Sequence, residues 1–368
     1  MTADQSIVQP DIIVADFQDQ ILPRVSRTFA LTIPQLPPGL REAVANAYLL
    51  CRIADTIEDD PALSAEQKEG FQEEFAALVG ADGDAADFAA RLHPLLSSAT
   101  TPDEHDLVRN SALVLRVTAG FSAPQRAAIA RCLRIMCRGM HRFQYEAGCN
   151  GVRDLAAMDR YCYFVAGVVG EMLTELFCEH SAQIARERER MMRLAVSFGQ
   201  GLQMTNILKD VWDDLARGAC WLPRDVFARH GFDLVQLAPG CTDPGFHAAY
   251  RELLGVAHAH LRDALAYTQS MPSQEAGIRR FCAWAVGMAV LTLDKINDNL
   301  AFASGAEVKI TRGAVGRTVF LTRIGVRNNG WLGWLFNSAA SNLPRAQLPL
   351  NWDGFVAPCV ADLGESPG

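Results

Sequence analysis

None of the ten cysteines stands in a CxxC pair, which removes the spacing expected of a zinc knuckle or a thioredoxin-type centre. Most lie inside apolar stretches, as Cys162 and Cys282 do in Tyr161-Cys162-Tyr163-Phe164 and Phe281-Cys282-Ala283-Trp284. Such thiols read as buried and reduced, which sets the expected location as cytoplasmic rather than secreted. Basic charge is also short. Lys and Arg number 34 against 42 Asp and Glu, a net charge of −8. A phosphate backbone asks for a basic face, so no nucleic-acid partner is expected. No apolar run reaches the ~18 residues of a membrane span. The longest candidate is the thirteen residues from Phe281 to Leu293, a length suited to a buried helix, and no transmembrane segment is expected. The opening MTADQSIVQPDIIVADF has no basic region leading into an apolar one, so a secretory signal is not expected either. Strand signals are scarce, and a fixed-period repeat and a GxGxxG dinucleotide fingerprint are missing.

Present instead is helical period. Apolar residues make up 49 % of the 368 and charged residues 21 %, enough to bury a sizeable core. Within LREAVANAYLLCRIADTIED (40–59), Leu40, Val44, Ala47, Leu50, Ala54 and Ile57 recur at steps of three and four. Pro37-Pro38-Gly39 opens that helix and Asp60-Pro61 closes it. Further helices are expected over 65–79, 105–119, 124–146, 153–179, 185–216, 245–270 and 274–303, with breaks at 148–151 and 238–244. The fold class is therefore all-α. One helical domain is expected over 21–305, after a flexible segment 1–20 and before a less regular C-terminal extension, 306–368.

Polar residues on these helices carry the chemistry. Asp55 and Asp59 stand four apart, separated by about 6 Å of rise and about 40° of rotation, so they share one face. Two close carboxylates repel unless a cation lies between them. Mg²⁺ suits the arrangement, since it binds through one or two carboxylates and completes its shell with water and phosphate. A single such pair is ordinarily a solvated acidic face. Asp210 and Asp214 repeat the spacing, and Gln203 and Asn206 continue their stripe back toward Gly199 along an otherwise apolar helix. Two such motifs on separate long helices make the metal reading much stronger than either alone. Arg52 shares the Asp55 face and suits bidentate contact with a diphosphate, though a surface ion pair would explain it equally well. The small residues of YCYFVAGVVG (161–170) read as either close helix packing or room for a ligand, and spacing favours packing.

Taken in order, SRTF, AYLLCRIADTIEDD, YCYFVAGVVGEMLTELF, GLQMTNILKDVWDD, WLPRDVF and FCAWAVGMAVLTLDKINDN resemble the squalene/phytoene synthase family. Val308-Lys309-Ile310 followed by Arg312-Gly313 points to its squalene branch. The resemblance implies an isoprenoid-synthase-type helical bundle around a central cavity. It implies a prenyltransferase that joins two farnesyl diphosphates head to head through presqualene diphosphate and reduces the product to squalene, a sterol or hopanoid precursor. Mg²⁺ (or Mn²⁺) on Asp55, Asp59, Asp210 and Asp214, and NADPH, are the cofactors implied. Ser26, Arg27, Phe29, Gln203, Asn206 and Lys209 fall at substrate-binding positions. Tyr161, Tyr48, Phe281 and Arg52 fall at catalytic ones, with Tyr161 the candidate base. Asn299, Lys309 and Arg217 are the candidates for NADPH. The pattern departs at Ala219, where the family usually carries Arg; Arg217 is the neighbouring charge. Expected partners are farnesyl diphosphate and a peripheral contact with the inner membrane surface, in a monomer or weak dimer. The alternatives are a non-reducing coupling enzyme giving dehydrosqualene, phytoene or presqualene diphosphate, an inactive regulatory subunit, and a one-substrate terpene cyclase. The intact aspartate pairs count against the second, and the lack of standard DDxxD and NSE motifs against the third.

Overall fold

Pro37 and Pro38 cannot continue a helix, and Gly39 takes φ 78°, a backbone turn that costs glycine nothing. The chain then enters a twenty-residue helix at Leu40 and leaves it at Asp59, the two ends expected. The computed structural model describes residues 10–26, 28–80, 83–144 and 150–346. Its contacts divide the chain into two compact units, Met1–Cys137 and Arg138–Gly368. Among the described residues there is no strand, only an isolated parallel bridge between Val152 and Pro223.

The first unit contains α1 (Pro10–Val25), α2 (Phe29–Thr32), α3 (Leu40–Asp59), α4 (Ala65–Gly80), α5 (Ala85–Leu92), α6 (Pro102–Arg109) and α7 (Ser111–Ala119); the unit boundary falls within α8 (Ala123–Gln144). Residues 10–20, expected to be flexible, form most of α1. The single helix expected over 105–119 divides at Asn110, whose amide turns back onto the Asp106 carbonyl at 2.8 Å. Helix α3 is the core of this unit, with Val44, Ala47, Leu50, Ala54 and Ile57 buried on the stripe read from the sequence. Each large aliphatic side chain so buried contributes about 1.5–3 kcal/mol. One polar group sits among them. Buried Asn46 donates to Gln18 Oε1 (3.1 Å) and the Val114 carbonyl (2.9 Å) and accepts from Thr118 Oγ1 (2.8 Å). It thereby locks α1, α3 and α7 in register.

In the second unit, α9 (Leu155–Cys162) passes through a π turn, Tyr163–Gly167, into α10 (Val168–His180). There follow α11 (Ala182–Ala185), α12 (Arg188–Ala216), α13 (Arg224–Arg229), α14 (Pro244–Ser270) and α15 (Ala276–Asp298). Two more helices, α16 (Arg312–Gly325) and α17 (Asn329–Ala339), occupy the stretch expected to be less regular. Thr311 caps α16 through the Ala314 amide and Asn328 caps α17 through the Trp331 amide. Helix α12 is the axis of the unit, packed against α10, α14 and α15. Its seam with the α9–α10 rod is backbone on backbone. A Cβ on Gly170 would lie 2.1 Å from the Ala195 carbonyl oxygen, and one on Gly199 2.1 Å from that of Ala166. The small residues of the AGVVG segment are therefore packing residues.

Two buried polar arrangements tie the rest down. Ser197 donates to Asp263 (2.9 Å), so the His260 Nδ1–H must donate to Ser197 (2.8 Å), joining α12 to α14. Arg279, 1 % exposed, donates to the Val326, Met271 and Thr268 carbonyls and to Asn329 Oδ1. It anchors the C-terminal turns of α14 and α16 and the start of α17 with a single cation. Leu155–His180 and Ala276–Asp298 are long and apolar enough to cross a membrane, but 67 % and 61 % of their most apolar windows are buried within the protein. The expectation of a buried helix around Phe281–Leu293 holds.

Gly170→Ala forces a methyl group into the Ala195 carbonyl and is expected to destabilise the protein by about 1–3 kcal/mol or more. Gly70→Ala, at an exposed position of α4, meets nothing within 4 Å and should instead stabilise by about 0.5–1 kcal/mol. Calorimetric melting of the two variants checks both signs.

Candidate active site

The first acidic site is built on one face of α3. Tyr48, Arg52, Asp55 and Asp59 follow at steps of four, three and four. At its upper end the Tyr48 hydroxyl donates to the Val25 carbonyl (3.0 Å), its ring lies 5.0 Å from that of Phe29, and the Phe29 amide donates to the buried Ser26 hydroxyl (3.0 Å). Ser26, Phe29 and Tyr48 thus lie together; Arg27 lies outside the described residues. Arg52 is held by Glu104, the third residue of α6 and half of a capping box with Thr101. That grip leaves the Arg52 guanidinium 3.9 Å from the Asp55 carboxylate. Asp55 keeps 36 % of its side-chain surface, yet desolvation and the neighbouring charges of Asp59 and Glu104 outweigh Arg52 and push its carboxyl up to about 7. Asp59 is exposed at the end of the stripe.

Asp60 belongs to the same acidic run but has another task. It is 1 % exposed and accepts from Thr100 Oγ1 (2.6 Å), the Ala62 amide (2.9 Å) and the Ser97 amide (2.8 Å). Burial opposes its charge, and these donors more than offset that, holding its carboxyl below the usual range.

The second acidic site occupies the last turns of α12. Gln203, Asn206, Asp210 and Asp214 lie along one stripe; Asn206 is exposed and Asp214 buried. Each aspartate has a cation beside it: Lys209 Nζ stands 3.0 Å from Asp210, and Arg217 Nη2 stands 2.5 Å from Asp214. The loop after α15 packs against this end, since a Cβ on Gly305 would lie 3.2 Å from Asp210 Oδ1. Buried Phe302 seats that loop against Trp212, with ring centroids 5.9 Å apart. Asn299 and Lys309 are exposed polar side chains on the same loop.

Tyr161 is buried. Its ring stacks on Trp221 at 3.6 Å and 8° and meets the edge of Phe143 at 5.7 Å. Trp221 is delivered by the strand-like pairing that runs from Val152 to Leu222 and Arg224. Phe281 is 3 % exposed and packs edge-on against Phe177 in the core between α10 and α15.

Residues 22–314 match the model of the squalene/phytoene synthase family. The chain belongs to this family. Both aspartate pairs lie inside the matched part. The family relatives include squalene synthase R6 of Phoma sp., 32 % identical over 292 residues, 78 % of this chain and 66 % of that protein. The squalene synthase of Eremothecium gossypii is 29 % identical over 307 residues, 83 % of this chain and 67 % of that protein. Among solved structures, the complex of TcSQS with the ligand E5700 superposes with a TM-score of 0.70 at 24 % identity, covering 89 % of this chain and 97 % of the other. A ligand complex of a dehydrosqualene synthase gives 0.57 at 17 % identity, covering 84 % and 95 %. At these identities the structures establish the isoprenoid-synthase helical fold.

The donor chemistry of both sites fits a hard divalent cation. Each offers carboxylates without His or Cys, and among the described residues no cluster of three or more His, Cys, Asp or Glu forms a complete metal centre. Two carboxylates are what Mg²⁺ takes when phosphate oxygens and water fill its octahedron. Sequence reasoning missed Glu104, Trp221 and Phe143. Glu104 had a local signal in the Thr101-x-x-Glu104 capping box, and Trp221 opens the WLPRDVF segment of the resemblance; Phe143 had none.

In metal-free buffer, Asp55 keeps its proton up to about pH 7 in the folded chain, whereas its ordinary value is 3.8. The folded state then binds more protons than the unfolded one, so stability falls as pH rises between those values. Asp55→Asn removes this loss. Its melting temperature in EDTA is expected to exceed the parent's at pH 8, with the gap shrinking toward pH 5.

Proposed function

We propose that this chain is a squalene synthase. It condenses two farnesyl diphosphates head to head into presqualene diphosphate and reduces that intermediate to squalene. The observation that carries the reading is the pair of acidic sites. Both stand on single helical faces within the matched part of the family, and in the first the Asp55 carboxyl is poorly compensated, as a site built for a cation would be. The relatives' names support the product class.

In the proposed reaction, the allylic C–O bond of the first farnesyl diphosphate breaks and its electron pair leaves on the diphosphate. Arg27, Arg52 and Lys209 bind the departing oxygens, and Ser26, Gln203 and Asn206 hold the substrate. Asp55, Asp59, Asp210 and Asp214 would hold Mg²⁺, which supplies charge neutralisation to the diphosphate when bound. Phe29, Tyr48, Tyr161 and Phe281 offer ring faces to the allylic cation and exclude water from it. The double bond of the second substrate attacks, and Tyr161, directly or through the released diphosphate, takes the proton lost as the cyclopropane closes. In the second half-reaction presqualene diphosphate ionises and rearranges. NADPH, held by Asn299, Lys309 and Arg217, would supply the hydride that ends it. Lys309 gives that loop a positive charge suited to a phosphate.

A second reading stops at coupling. It draws on Ala219, which stands where the family usually has Arg, and on Arg217, whose guanidinium is engaged by Asp214.

Purified protein given farnesyl diphosphate and Mg²⁺ is expected to yield squalene only when NADPH is added, and presqualene diphosphate without it. A product indifferent to NADPH, whether a hydrocarbon or presqualene diphosphate, would establish the second reading. Asp210→Ala is expected to cut turnover by on the order of 10²–10³-fold while leaving the circular dichroism melt cooperative. Full activity in that variant would sink the metal assignment.

A further inference from the structure

Residues 308–346 contain Lys309, Arg312, Arg317, Arg323, Arg327 and Arg345 and no Asp or Glu, in a chain whose net charge is −8. The stretch includes α16 and α17. Arg317, Phe320, Arg323, Ile324 and Arg327 recur at steps of three and four, and all are exposed, so they form one solvent-facing stripe along α16 and into the turn that follows. Apolar residues do not belong on such a stripe in a helix that merely covers a core. Phe320 and Ile324 are each 64 % exposed, and Trp334 on α17 is 57 % exposed. Trp334 pairs with Trp331 at 5.2 Å. These are three of the five large apolar side chains most exposed among the described residues. Beside them runs a cleft of about 470 Å³ lined by Val286, Val290, Leu291, Leu321, Trp334 and Leu335. Asp294 and Arg317 also line it. Arg279 fixes the turn between the two helices from beneath. Burial, together with the nearby Arg323 and Arg327, holds the Arg280 guanidinium below its usual range, as expected where cations crowd one face.

We propose that the exposed face of α16 and α17 docks the enzyme on an anionic lipid bilayer. Phe320, Ile324 and Trp334 enter the headgroup boundary, and Arg317, Arg323 and Arg327 bind lipid phosphates. Charge complementarity selects this occupant: an otherwise acidic chain concentrates cations around its apolar side chains, and Trp with Arg is the composition that settles at a membrane interface. A second copy meeting this face with its own equivalent face would set the cations against one another. The inference is independent of the reaction, and either can fail without the other.

Cosedimentation of the full chain with vesicles tests it. Binding to phosphatidylcholine mixed with phosphatidylglycerol is expected to exceed binding to phosphatidylcholine alone by roughly tenfold or more and to weaken as salt rises. The triple variant Phe320→Ser/Ile324→Ser/Trp334→Ser should lose roughly tenfold in binding, and Arg317→Gln/Arg323→Gln/Arg327→Gln should lose the preference for anionic vesicles. All six side chains are exposed, so both variants are expected to melt as the parent does. Absence of binding to either vesicle, or binding unchanged in both variants, would overturn the proposal. So would a self-association, seen by analytical ultracentrifugation, that the same substitutions abolish while vesicles remain unbound.

Discussion

Carboxylates four residues apart on a helix face repel one another, and this chain places two such pairs near the C-terminal ends of long helices, where the helix dipole is also negative. Nothing in the folding of an apolar core calls for that arrangement. In the first site the nearest cation, Arg52, is drawn toward Glu104, and Asp55 is left with a carboxyl raised to about 7. In the second, Lys209 and Arg217 lie closer to their aspartates. The two sites thus differ in how much negative charge remains for an incoming cation. A stable fold keeps such groups only when something else contributes free energy, and a metal with a diphosphate is the chemistry that does so.

The scaffold around these sites is correspondingly rigid. Asn46 fixes the register of α3, and the Gly170 and Gly199 seam holds α12 at backbone contact with its neighbour. Gly305 and Phe302 bring the loop bearing Asn299 and Lys309 to the end of α12. These contacts position the helices and the loop that carry the polar side chains.

Helix α3 was legible to the residue because Pro-Pro-Gly and Asp-Pro bracket a clean apolar stripe. The break at Asn110 was not, because a local amide-to-carbonyl bond interrupts a helical pattern without changing its period. Helices α16 and α17 escaped for a different reason: their exposed faces carry Phe320, Ile324 and Trp334, which blurs the contrast between buried and solvated positions that periodicity depends on. The stripes of Asp55/Asp59 and Asp210/Asp214 follow from spacing alone. The contact of Arg52 with Glu104 spans 52 residues, and Asp60 cannot be told from Asp59 until the chain around Ser97 and Thr100 folds onto it.

The central claim is that the aspartate pairs bind diphosphate through a divalent cation. Thermal unfolding with inorganic pyrophosphate, in Mg²⁺ and in EDTA, tests it most directly. A ligand at 100 times its dissociation constant stabilises by about 2.7 kcal/mol. A shift of that order is predicted only when both pyrophosphate and Mg²⁺ are present, and it should be lost in Asp55→Asn combined with Asp210→Asn. An equal shift in EDTA, or a full shift in the double variant, would contradict the account.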